Sequence, residues 1–238
     1  MPNQQRMDER KEDGHEVMLT NSPDMPPTPR VYEFAGMPRT GKTSTVTTIV
    51  DGLRALGARV TCIEEGIRGM PGYEQASLVA LNFGAWYRKL AALHQIRCSS
   101  RNEIVIVDRA AFDAFALSYF FQARGDFSPH RAGALRALLL EEMDMVDRVF
   151  LFLAQHEVCL RRDGRPDSGR TFMNKEALIC LETSYHHAMD ELLLLHPSLA
   201  RRVVVLDTST LTLTETAELV HGRMSTTSIP ARAPASAA

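Results

Sequence analysis

The chain has 238 residues, enough for one sizeable core and too few for two full domains of ordinary size. Hydrophobic residues make up 45% and charged residues 24%, with a formal charge of -2, so no global pull toward a nucleic acid polymer or an anionic membrane exists and ligands are to be sought in pockets. The four cysteines, at 62, 98, 159 and 180, show no CxxC or Cys-His metal spacing, and Cys62 and Cys159 lie in or beside apolar runs as small buried hydrophobes, which points to a reducing, cytoplasmic setting.

Residues 1–29 are polar and then proline-rich and read as a mobile lead-in, while 223–238 read as a disordered tail, leaving one domain over 30–222. The N-terminus has no apolar core of signal-peptide length, and runs such as "VFLFLA" are too short to span a bilayer. The first predicted strand is "VYEFAG" at 31–36, followed by a helix carrying Val46, Ile49, Val50, Leu53 and Leu56 at helical spacing. "ARVTCIEEG" reads as the second strand, 75–95 as a helix, and "EIVIVD" at 103–108 as a strand buried on both faces and closed by a carboxylate. Helical patterns follow at 111–123 and 133–146, then the strand "DRVFLFLA" at 147–154. A long helix starts at "NKEALICLE", the last strand is "RRVVVLD" at 201–207, and a short helix covers "LTETAELVHG". Strands alternate with helices throughout, so a mainly parallel sheet covered on both faces is expected, with ligands beyond the C-terminal strand ends.

Gly36, Gly41, Lys42 and Thr43 satisfy G-x-x-x-x-G-K-[ST] between a predicted strand and a predicted helix. Glycines let the backbone turn its N–H groups inward, the helix N-terminus adds partial positive charge, and Lys42 places a cation between phosphates. The whole loop, Gly36, Met37, Pro38, Arg39, Thr40, Gly41, Lys42, Thr43 and Ser44, is therefore assigned to the phosphates of ATP, with the Thr43 hydroxyl a ligand for Mg2+. At the end of the third strand, Asp108 and Arg109 share that sheet edge. The carboxylate suits a metal-shell water or the acceptor, and the guanidinium suits an anion. Glu64 and Glu65 end the second strand; Glu64 is taken as the group that meets an attacking hydroxyl and Glu65 as a solvated loop residue. "CLRRDGRPDSGRTF" concentrates Arg161, Arg162, Arg165 and Arg170 among helix-breaking Gly and Pro. It reads as a lid over about 160–173, with Arg161 on ATP and Arg165 and Arg170 on the moving phosphoryl group.

With these pieces the chain resembles the thymidylate kinase and deoxynucleoside kinase family over most of 31–220. "GMPRTGKT" is similar to the family's phosphate loop, with Arg39 where some members carry an extra catalytic arginine. "EEG" is similar to its Glu-Pro-Gly segment, and Asp108-Arg109 to its Asp-Arg pair. The resemblance implies a five-stranded sheet of order 2-3-1-4-5 and an acceptor pocket lined by Glu64, Phe83, Trp86, Tyr87, Arg88, Arg109, Phe112 and Asp113. It also makes a homodimer possible. Pro38, Glu65 and Ala154 stand where the family usually has an acidic residue, a proline and an aspartate, which separates phosphoryl transfer from any one acceptor. The expected activity is ATP-dependent phosphorylation of a nucleoside or nucleoside monophosphate. The alternatives are a kinase for a non-nucleotide hydroxyl and a regulatory ATP-binding protein, and the absence of an NKxD guanine-reading sequence argues against a GTPase.

Overall fold

The computed structural model describes residues 29–66, 77–99, 104–164 and 173–225. Strands β1 (Arg30–Gly36), β2 (Val60–Ile63), β3 (Ile104–Asp108), β4 (Arg148–Leu153) and β5 (Val203–Asp207) form one sheet of order β2-β3-β1-β4-β5, and every neighbouring pair is parallel. The expected sheet order is thus observed. Helices α1 (Lys42–Ala55), α2 (Leu78–Ser99), α3 (Ala111–Ala123), α4 (Pro129–Met143), α5 (His156–Asp163), α6 (Lys175–Leu195), α7 (Pro197–Ala200) and α8 (Leu213–Ser225) connect and follow the strands.

Strand side chains alternate between two cores, as the two-residue pleat requires. Tyr32, Phe34, Ile106, Phe150, Phe152 and Leu206 meet α1 and α8 residues such as Ile49, Val50 and Val220 on one face. Val31, Ala35, Val105, Val107, Val149 and Leu151 meet the aromatic-rich α3 and the helices beyond it on the other. A strand apolar on both faces has no solvent side, which is why β1, β3 and β4 read as continuous runs. Cys159 is fully buried in the second core, while Cys98 is exposed. No described helix is long and apolar enough to cross a membrane.

Among the element ends that differ from expectation, two have plain local reasons. Helix α4 begins at Pro129 instead of 133, because Ser128 accepts the Arg131 N–H at 3.3 Å and Pro129 occupies the first turn, where a missing N–H costs nothing. Helix α8 runs to Ser225, past the expected limit at 222, with Val220 and Met224 buried on its inner side. The lead-in to residue 28, the tail after 225, and Arg165 and Arg170 of the expected lid lie outside the described residues.

Candidate active site

The first turn of the site is made by Gly36. Its φ of 125° and the 2.0 Å that would separate a Cβ from the Phe152 carbonyl oxygen admit no other residue, since β1 and β4 are in register at this point. The chain then loops through Arg39, which takes a left-handed φ of 61°, and enters α1 at Gly41 with φ 90°. Met37 N–H donates to Phe152 O at 3.0 Å, pinning the loop to β4. Lys42 is buried, and its Nζ donates to Gly36 O at 3.0 Å and Met37 O at 2.5 Å. Burial, reinforced by the Arg109 charge, lowers its pKa to about 8, against the opposing pull of Asp108, Asp113 and Glu65. Thr43 and Ser44 are exposed at the start of α1.

Register places Asp108 beside Phe34, two residues before the loop, so the third strand delivers its carboxylate to the same edge. Asp108 is 6% exposed and its Oδ1 is buried with no hydrogen-bond partner, an expensive state for a carboxylate unless something else is received there. Burial raises its pKa, while Lys42 and Arg109 pull it down. Arg109 follows with a left-handed φ of 63° and turns its guanidinium onto two carboxylates. Its Nη1 lies 3.1 Å from Asp113 Oδ2 and its Nε 3.0 Å from Glu65 Oε1. Although burial opposes the charge, Asp113 and Glu65 hold Arg109 protonated well beyond its ordinary range.

Asp113 connects these parts. It is completely buried, and its Oδ1 accepts the Gly36 N–H at 3.1 Å and the Tyr185 hydroxyl of α6 at 2.6 Å as well as Arg109. Burial works against its ionisation, but Arg109 and the Tyr185 hydrogen bond hold its carboxyl below the usual range. The same contacts carry the Tyr185 hydroxyl well above its usual range, burial first and the Asp113 charge next.

No protein-family model matches the sequence, and no curated protein matches it. Solved structures do. Thymidylate kinase from Candida albicans superposes with a TM-score of 0.58 at 12% identity over 84% of this chain and 92% of its own. Deoxyadenosine kinase from M. mycoides, solved with bound dCTP, gives a TM-score of 0.57 at 15% identity over 83% of this chain and all (100%) of its own. The chain shares the fold of these two kinases. The likeness of the backbone agrees with the family resemblance carried by the phosphate loop and the Asp-Arg pair.

Within this kinase fold the predicted site residues divide into two groups. Gly36 through Thr43, Asp108, Arg109 and Asp113 come together at the ends of β1 and β3. Glu65 is the glutamate that reaches Arg109, while Glu64 beside it is exposed. Trp86 and Phe112, expected to line the acceptor pocket, are core residues instead. Trp86 is 4% exposed and packs against Phe83 and Phe121, and Phe112 is 0% exposed and stacks on Tyr185. Phe83 belongs to the same aromatic cluster, packing edge-on to Phe127, while Tyr87 and Arg88 face solvent on the opposite side of α2. Asp113, also expected at the acceptor, instead spends its oxygens inside the protein. Arg39 forms a 2.5 Å ion pair with Asp163 at the end of α5, and its carbonyl oxygen lies 3.5 Å from Arg162 Nη1. Arg162 also donates to Thr208 O at 2.7 Å, whereas Arg161 is exposed.

Glu33 and Lys89 also border the site and were not among the expected residues, although each has a signal in the sequence. A lone carboxylate within a strand buried on both faces must find buried donors, and Glu33 accepts the N–H groups of Ala110, Phe112 and Asp113. Lys89 shares the inner face of α2 with Asn82, Ala85, Trp86 and Leu93, an apolar position at which an ammonium requires acceptors. A surface hollow of about 690 Å3 lies elsewhere, lined by Leu211, Leu219 and neighbours on α8, and no residue of the phosphate loop borders it.

The residues fit a divalent cation at the loop. Asp108 Oδ1 is an unpartnered buried oxygen, and Thr43 stands exposed directly after Lys42. Oxygen donors supplemented by water and phosphate are the ligand set that Mg2+ takes in such sites. Among the described residues no group of three or more His, Cys, Asp or Glu side chains forms a separate metal cluster.

Proposed function

We propose that the protein transfers the terminal phosphoryl group of ATP to a small acceptor, a nucleoside or a nucleoside monophosphate. The observation that carries this reading is the convergence, on adjacent strand ends, of a glycine loop with a buried lysine beneath it and the Asp108-Arg109 turn with its unpartnered carboxylate oxygen. Backbone N–H groups of the loop and the α1 N-terminus hold the phosphates, and Lys42 exchanges its carbonyl partners for phosphate oxygens. Thr43 and Asp108 would hold Mg2+, which supplies neutralisation of the phosphate charge. Arg39, paired with Asp163, would serve the phosphates once released, and Arg109, paired with Glu65, would meet the acceptor.

Arg109 is already engaged by two carboxylates, which favours a neutral hydroxyl over a phosphate monoester as acceptor. A hydroxyl needs a base, and Asp108 or Glu65 supplies one at this edge. One observation favours a second reading, a non-nucleotide alcohol as acceptor. The rings expected to stack on a base are largely consumed by the core, with Tyr87 alone among them exposed, at 59%. The test is incubation of the purified full chain with Mg·ATP and a panel of nucleosides, nucleoside monophosphates and other hydroxylated small molecules, followed by product mass. A phosphoryl group on a nucleoside or its monophosphate supports the first reading, on another alcohol the second, and ATP binding without transfer to any acceptor overturns both.

A further inference from the structure

The Asp108-Arg109 turn is gripped from two sides by buried charged side chains that take no part in the transfer described above. Arg109 has a left-handed backbone, φ 63°, a conformation that costs a non-glycine residue on the order of 1–3 kcal/mol and persists only where the surroundings over-determine it. On one side Lys89 of α2, 4% exposed, sets its Nζ 2.7 Å from the carbonyl oxygen of Asp108 and 2.8 Å from that of Arg109. On the other, Glu33 of β1, 0% exposed, accepts from Ala110 N–H and Asp113 N–H at 2.8 Å through Oε1 and from Phe112 N–H at 3.1 Å through Oε2. Arg109 N–H completes the set by donating to Phe34 O at 2.9 Å.

Ordinary packing of α2 and α3 needs neither charge. An apolar side chain would fill position 89, and a local Ser or Asp would cap α3, whose own N-cap, Ala110, offers no side-chain acceptor. Burying an ammonium and a carboxyl group is costly unless each is matched by dipoles, burial raises the Glu33 pKa to about 7, and here every bond made by the two side chains goes to backbone between residues 108 and 113. That backbone carries the unpartnered Asp108 oxygen and the Arg109 guanidinium together, so a rotation of the turn moves both at once.

We propose that Lys89 and Glu33 are positioning residues that clamp the Asp108-Arg109 turn, Lys89 through its carbonyls and Glu33 through the N–H groups that follow, and thereby aim Asp108 at the phosphate side of the site and Arg109 at the acceptor side. The catalytic consequence rests on the phosphoryl-transfer reading; the clamp itself does not. Burial depresses the Lys89 pKa, but Asp113, Asp108 and Glu65 oppose the loss of its proton, which agrees with an ammonium that donates to two carbonyls.

The test is Lys89→Met in the full chain, with hydrogen exchange of the empty protein followed amide by amide. Exchange at Arg109 and Ala110 should accelerate roughly tenfold or more while the β1 and β4 amides keep their protection. In turnover assays kcat should fall roughly tenfold with KM for ATP little changed, and in an Asp108→Asn background Lys89→Met should cost far less, because its effect passes through Asp108. Glu33→Gln keeps an acceptor for two of the three N–H groups and should give a smaller acceleration in the same amides, which preserves the test if Lys89→Met does not fold. Unchanged exchange at the turn in a folded variant overturns the clamp, and a kcat loss fully additive with Asp108→Asn overturns its catalytic role. If the wild-type protein transfers no phosphoryl group, the functional reading falls, and exchange still decides the clamp.

Discussion

Replacing Asp113 by Asn keeps the shape of a completely buried side chain and removes its charge. The amide oxygen can retain the Gly36 N–H and the Tyr185 hydroxyl, but an NH2 group then faces Arg109 Nη1, which lies 3.1 Å from the present Oδ2. Removing one partner of a buried ion pair costs about 3–5 kcal/mol. Glu65 remains 3.0 Å from Arg109 Nε and offsets part of the loss, so Asp113→Asn should destabilise the fold by ~3 kcal/mol, the low end of that range. Tyr185→Phe removes one hydrogen bond to a charged acceptor and should cost about 1.5–3 kcal/mol. Urea unfolding with an unchanged m-value is the assay. The difference between wild type and Asp113→Asn also has a pH signature. A carboxylate whose folded pKa is depressed stabilises the fold above its unfolded pKa, so the gap should narrow as pH falls below about 4. A loss under about 1 kcal/mol at neutral pH, or a gap that does not close in acid, would refute the assignment of Asp113 as the joint between phosphate loop and arginine.

Other consequences can be measured on the same protein. Glu65→Gln should lower kcat/KM for the acceptor roughly tenfold and Glu64→Gln by less than about threefold, and the reverse order would return the acceptor-side role to Glu64. Because burial lowers empty Lys42 to about 8 and phosphate would raise it, ATP binding near pH 8 should take up roughly half a proton, and affinity should decline as pH rises beyond that point. Calorimetry in two buffers of different ionisation enthalpy measures the uptake, and identical observed heats in the two buffers would contradict it. Gly36→Ala should prevent stable folding, since its Cβ would meet the Phe152 carbonyl oxygen, whereas Gly41→Ala, with open space around its Cβ, should cost only about 1–2 kcal/mol for its φ of 90°. Similar melting temperatures for the two variants would count against the close approach of β1 and β4.

The fold was legible because β1, β3 and β4 are buried on both faces and punctuated by helices whose apolar spacing is plain, and because the glycine loop marks where a strand must end and a helix begin. The placement of residues local to a motif was equally legible: Lys42, Asp108 and Arg109 lie at or just beyond the strand ends that carry them. What depends on tertiary direction was not. Glu64 and Glu65 are adjacent and chemically alike, and only the path of the chain after β2 decides which one turns toward Arg109. Trp86 and Phe112 sit at helical spacing that serves a pocket and a core equally, and the aromatic packing of α2 on α3 assigns them to the core. Glu33 and Lys89 act across 77 and 19 residues of sequence, so their need for partners was visible and the identity of those partners was not.

Lys42 and the loop above it are proposed to hold the group that is transferred. Single-turnover transfer from bound ATP to the acceptor that the panel identifies, compared between wild type and Lys42→Met, tests it most directly. The expected result is transfer by the wild type and a loss of roughly a hundredfold or more in a Lys42→Met protein with an unchanged circular dichroism spectrum. Near-normal transfer by the folded variant would contradict it.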